Sequence, residues 1–133
     1  MATQTKSLRT SDLHFENKYW LNELKFAASE LLLFQQYLER LAKQEGPVAF
    51  FAQIEQYQNQ FIREKEVIDI ILHDIRRNEQ RLAEFTRNHP VTYDLYEMDD
   101  HDDLRDGMDR FRKIFGELKT NFFHFYYQQR EAA

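Results

Sequence analysis

Five histidines are the only side chains here that combine proton transfer near neutral pH with metal affinity, because the chain contains no cysteine. A dinuclear centre in a helical protein needs a carboxylate one turn from each imidazole. The residues three before His14, His73, His101 and His124 are Ser11, Ile70, Met98 and Asn121, and those four after are Lys18, Arg77, Arg105 and Gln128. None is a carboxylate, and no His-x-x-x-His pair exists for zinc. One weaker constellation remains. Asp69 precedes His73 by one turn and is suited to orient its imidazole, and a bundle would bring His14 and Asn17 level with His73, with His101 somewhat nearer the loop end. His14, His73, His101 and Asp69 therefore define the alternative reading, a single-metal or small-molecule binder. The missing ligand spacing favours histidines that are ordinary boundary residues, with no metal and no cofactor.

Other chemistries leave no trace. The acidic run Asp99, Asp100, Asp102, Asp103 and Asp106 lacks the alternating spacing of a calcium loop, and no glutamate follows Gly107 where a bidentate ligand is needed. No nucleophile elbow or glycine-rich phosphate loop is present, so an enzyme is not expected. Net charge is −5, and the cations are interleaved with acids, unlike the stripe that binds a phosphate backbone, so no nucleic-acid partner is expected. No run reaches the roughly 18 apolar residues of a membrane span. Residues 1–11 lack the apolar region of a secretory signal and read as a mobile tail. The absence of cysteine fits a cytoplasmic location.

The elements that must position these residues are helices. With 3 Gly and 2 Pro in 133 residues, turns are scarce and elements must be long. Trp20, Leu24, Ala27, Leu31, Phe34, Leu38 and Leu41 recur at alternating steps of four and three, which predicts a helix over 12–44. Gly46 then reads as a C-cap and Pro47 as the first turn of the next helix, so the neighbour is antiparallel. Ile54, Phe61, Ile68, Ile75 and Leu82 repeat every seventh residue across a second helix at 47–88, about 63 Å long at 1.5 Å per residue. The shoulders of that line carry Gln58, Glu64, Lys65, Asn78 and Glu79, read as polar residues that set register. Pro90 ends the helix, and Val91 to Met98 read as an ordered loop. Leu104, Met108, Phe111, Phe115, Leu118, Phe122 and Phe125 predict a third helix over 100–129, unless Asp106-Gly107 breaks it. The carboxylates at its start should face Arg76, Arg77, Arg81 and Arg87.

The fold class expected is all-α, an elongated antiparallel three-helix bundle of coiled-coil type forming one domain over 12–130, able to associate into a larger bundle. Surplus apolar residues suggest where. Phe26, Leu33 and Tyr37 point away from the first helix's core line, and Phe123 and Tyr127 lie off the third helix's line. If Leu41 lies level with Phe50 and Phe85 with Asp102, residue 26 falls near residue 122, so both stripes occupy one end. The function expected is a helical protein-interaction or adaptor module, and the expected partner is a protein or a second copy in a homodimer.

Overall fold

The computed structural model describes residues 10–88 and 95–132, with side chains for 10–87 and 100–130. Three helices, α1 (Thr10–Ala42), α2 (Val48–Asn88) and α3 (Leu95–Ala132), pack up-down-up. The protein is an all-α three-helix bundle. Each helix follows from one apolar line that water excludes and the two neighbours cover. Arginines Arg40, Arg87 and Arg130 sit in the last turns, where positive charge complements the helix dipole.

The helix ends differ from the sequence reading in instructive ways. Helix α1 takes in Thr10 and Ser11, so the expected tail is helical at its last two residues, and the rest lies outside the described residues. It ends at Ala42 because the N–H groups of Lys43 and Gln44 turn back to the carbonyls of Arg40 and Leu41, three residues earlier, tightening the last turn. Gly46 is not a left-handed C-cap, since no described glycine has positive φ. Its value is room: a Cβ there would stand 2.8 Å from the Phe50 ring. Pro47 lies just outside α2, and its carbonyl accepts the N–H groups of Phe50 and Phe51. Helix α3 begins at Leu95, not near 100, because Leu95, Glu97 and Met98 are sound helix formers with no glycine or proline among them. The loop expected there is thus partly helix, and residues 91–94 lie outside the described residues. Asp106-Gly107 does not interrupt α3.

Phe61, Ile68 and Ile75 are fully buried at the centre of the core, where α2 meets both neighbours. Aromatic rings dominate one end: Phe122 meets Phe61 edge to face at 5.1 Å, and Phe34 lies 5.5 Å from Phe122. Such pairs add to the burial of their large faces. Leu13 and Leu82 form a separate small cluster, cut off from the main core by a layer of polar side chains. Of the five polar shoulder residues on α2, Glu64 and Asn78 are buried and Glu79 half-buried, while Gln58 and Lys65 are exposed. The stems of the two exposed ones simply reach water.

Truncating Ile68 to Ala should cost about 2–5 kcal/mol in urea unfolding followed by circular dichroism, the usual penalty for a cavity in a packed core. Gly107→Ala and Gly116→Ala should instead each stabilise by roughly 0.5–1 kcal/mol. An added Cβ meets only the tip of Arg110 at 4.0 Å in the first case and nothing within 4 Å in the second.

Candidate functional site

The polar layer between the two clusters has one buried side chain from every helix, Asn17, Asn78 and His101, with partly exposed partners around them. Asn17 and His101 occupy steps of the same four-three lines that bury Leu13 and Trp20 on α1 and Met108 on α3, so the helices carry them inward with the core. The Asn17 amide donates to Asn78 Oδ1 and to Glu79 Oε2, both at 2.9 Å. His14, on the solvent side, reaches the other oxygen of Glu79 at 2.5 Å. His101 Nε2 lies 2.7 Å from Glu16 Oε1, and the Trp20 ring stacks on the imidazole at 4.9 Å. Arg105 clasps the same Glu16 carboxylate and also Asp102.

The charges in this layer follow from burial. Desolvation pushes the His101 pKa below its ordinary value, and the hydrogen bond and charge of Glu16 offset this only in part. The imidazole is therefore held in its neutral form at pH 7; its Nε2 faces the Glu16 carboxylate at 2.7 Å and its Nδ1 the Asn78 Oδ1 at 3.4 Å, and the proton is assigned to Nε2 because the carboxylate is the closer and stronger acceptor. Burial pushes Glu16 upward, but hydrogen bonds from Arg105 and His101 outweigh it and hold the carboxyl below its usual range. Such an imidazole resembles an oriented catalytic base, yet its side chain is 1% exposed and Glu16 occupies its Nε2. No substrate atom can reach that nitrogen, so the layer joins helices.

The histidine constellation is not assembled. His73 sits exposed on α2, and Asp69 gives both carboxylate oxygens to Lys65 at 2.9 Å. Asp69 therefore orients no imidazole, because an ammonium one turn away on the same face is the better partner. His14 and His101 do share the layer's end of the bundle, but each turns to a different glutamate. Among the described residues no group of three His, Asp or Glu is placed to hold a metal ion.

A ladder along the α1–α3 seam escaped the sequence reading. Glu16 pairs with Arg105, Glu23 with Arg112 and Glu30 with Lys119, each pair 89 residues apart, and one heptad further Tyr37 meets Tyr126 edge to face at 5.3 Å. The signal was present as glutamates seven apart on α1 and cations seven apart on α3. The ladder also corrects the expected level: Phe26 stands level with Phe115, one heptad short of residue 122. Both connections contribute: Asn17 meets Asn78 where the expected level set it against Asp74, and α3 starts at Leu95. Of the arginines expected to meet the acidic run, Arg81 does so through an ion pair with Asp100.

The candidate interface residues lie on the two sides of this seam. Phe26 is 67% exposed, Leu33 47%, Phe123 43% and Tyr127 51%, while Tyr37 is half-buried. Phe123 sets its edge against the core ring Phe34 at 5.4 Å, and Tyr37 meets Tyr126, whose ring packs against Tyr127 at 5.7 Å, so the two surplus stripes come together through Tyr126 at one end. The reading overlooked two further members: Phe15 and Tyr19, at 70% and 60% exposure, continue the line of Phe26 and Leu33 towards the start of α1. A groove of about 460 Å³ also runs between α2 and α3, floored by Val67, Ile71 and Phe111 and by the buried Glu64, whose carboxyl is pushed up by desolvation. Its rim carries Arg63, Arg77, Arg81 and Arg110 against Asp74, Asp100 and Asp103. With Glu64 the charges balance, so the groove favours neither sign of ligand.

These features define a class: a three-helix bundle with a buried polar layer and an apolar strip on the outside of one helix. Compared with known proteins, the chain matches no family model, no curated protein and no solved structure. Among the described residues no helix is long and apolar enough to cross a membrane.

His101 makes stability pH-dependent. Its folded pKa is depressed, so the unfolded chain takes up the proton first as pH falls below about 6.5, the ordinary value. Stability present at pH 7.5 should decline as pH falls below about 6.5. Thermal melts should show this decline in the parent chain and a shallower one in His101→Gln; equal slopes would mean that the imidazole is not held neutral.

Proposed function

We propose that this protein is a helical interaction module whose working surface is the outer face of α1, continued across the seam by Phe123 and Tyr127. One observation carries the reading: α1 is apolar on two opposite faces. Its inner face packs the core through Trp20, Leu24 and Leu31, while Phe15, Tyr19, Phe26 and Leu33 form a straight strip on the other side. From Phe15 to Leu33 that strip runs about 27 Å at 1.5 Å per residue, the length of a helix–helix contact. Single exposed rings are ordinary on protein surfaces, but an aligned strip that α2 and α3 leave uncovered marks a surface that another helix would bury. Arg40 over Tyr37 and Arg130 over Tyr127, at 4.7 and 5.1 Å, shield the far end with cations. The lack of cysteine suits work in a reducing compartment such as the cytoplasm.

Phe26→Glu combined with Leu33→Glu tests the surface. Exposed side chains that serve association are dispensable for folding, so the double variant should melt within a few degrees of the parent at a dilution where both are monomeric. Its surface binding of an apolar dye should fall. A far lower melting temperature in the monomer would place both side chains in the fold itself and end the reading.

A further inference from the structure

Taking the outer face of α1 as the working surface, we propose that a second copy of this chain covers it, the two α1 helices lying parallel and in register. The strip follows a coiled-coil repeat. Tyr19, Phe26 and Leu33 fall seven apart, and Phe15, Asn22 and Ser29 fill the alternate set, so steps of four and three run without a break from 15 to 33. Two polar residues in the second set, Asn22 and Ser29, weaken such a seam at those two layers.

The flanks of the strip decide both the partner and its direction. On the side away from α3 stand Lys18, Lys25 and Leu32, all exposed, with Leu32 at 59%. On the side of the α3 seam stand Glu23, Glu30 and Tyr37, half-buried by their contacts with Arg112, Lys119 and Tyr126. In a parallel pair of helices each residue on the first flank meets the second copy's residue five further on. Lys18 then faces Glu23 of the second copy, Lys25 faces Glu30, and Leu32 faces Tyr37. Charge meets opposite charge where both are charged, and apolar meets apolar where neither is. An antiparallel pair would set each flank against itself, lysine against lysine and glutamate against glutamate. The glutamates can serve both sides, because a carboxylate offers about four lone-pair sites and the bonds from Arg112 and Lys119 leave some free. The ladder inside one copy thus aims its carboxylates at the lysines of the next. The same arrangement covers Leu32, which stands 59% exposed at the edge of the groove between α1 and α2.

The chain has no cysteine, so single cysteines report proximity cleanly. Asn22→Cys and Ser29→Cys are each to be oxidised at a concentration where sedimentation shows association, with Gln60→Cys on exposed α2 as control. Parallel register brings each residue opposite itself, within the roughly 7 Å a disulfide needs, so both variants should cross-link and the control should not. In an antiparallel pair centred on residue 22, the two copies of residue 29 stand about 21 Å apart, so at most one variant can link. Lys18→Glu with Lys25→Glu should weaken the dimer roughly tenfold, because four attractive contacts become repulsive. A sedimenting monomer at every concentration overturns the second copy. So does a dimer in which only one cysteine variant, or neither, links. If that dimer is still dispersed by the Phe26 and Leu33 variant, the outer face remains the working surface and only the parallel pairing is lost. If the variant leaves it intact, both ideas fall.

Discussion

The hydrogen bond from Asn17 to Asn78, inside the bundle, is the constraint on which the alignment of the helices depends. An apolar line repeated every seventh residue is nearly indifferent to a slide of one heptad, since Ile68 in place of Ile75 fills much the same space. The amide is not indifferent. Moving α2 by seven residues would set Asn17 against Ile71 or Phe85, and an unmatched buried amide costs about 1–3 kcal/mol. Glu79 and His14 reinforce the same alignment, and His101 carries it to α3 through Glu16. The layer thus trades some hydrophobic burial for a single register, and it leaves Leu13 and Leu82 as a small cap beyond it.

The ladder on the α1–α3 seam works differently. Each of its pairs is partly exposed and stabilises by roughly 0.2–1 kcal/mol at most. Because the glutamates and the cations both repeat every seventh residue, a slip of α3 by one heptad re-forms two of the three pairs, so the ladder opposes shorter slips and leaves the choice of heptad to the polar layer. The lower two rungs are plain surface pairs. The uppermost differs, because Glu16 accepts from a buried imidazole and from Arg105 at once, which ties the seam to the polar layer. Alignment of α3 therefore rests on one interior contact supported by a row of weaker outer ones.

These two devices leave the outer face of α1 out of the folding problem. A helix in a three-helix bundle needs one apolar side, and α1 satisfies that need with the line from Leu13 to Leu41. Rings on the opposite side add nothing to the monomer and expose apolar surface to water, a cost that is recovered only when something covers them. Helix α2 also exposes apolar side chains, but they are more widely spaced: Val48 and Phe51 stand at its first turn, while Ile62 and Ile70 edge separate grooves against α1 and α3. Among the described residues α1 therefore carries the longest run of exposed apolar positions on one face.

Helix number, direction and core lines were legible in the residues alone, because steps of four and three bury one side of a helix whatever lies beside it. So were Phe26, Leu33 and Tyr127 as side chains off the core lines, whereas Phe123, equally off its line, keeps an edge on the core ring of Phe34. The level of α3 was not legible. Heptad patterns repeat under translation, and the connection before α3 is shorter than its mixed composition suggests, since Leu95 to Met98 are helical. The inward turn of Asn17 and His101 lay in the spacing but was masked by their polarity, for a polar residue on a core line is buried only if a partner arrives from another helix. Only the tertiary structure decided that Asn78 and Glu16 would be those partners, that Asp69 would turn to Lys65 and away from His73, and that the two apolar stripes would meet at one seam. Periodicity is a property of one helix; the pairing of side chains from different helices depends on relative translation, which the packed bundle alone sets.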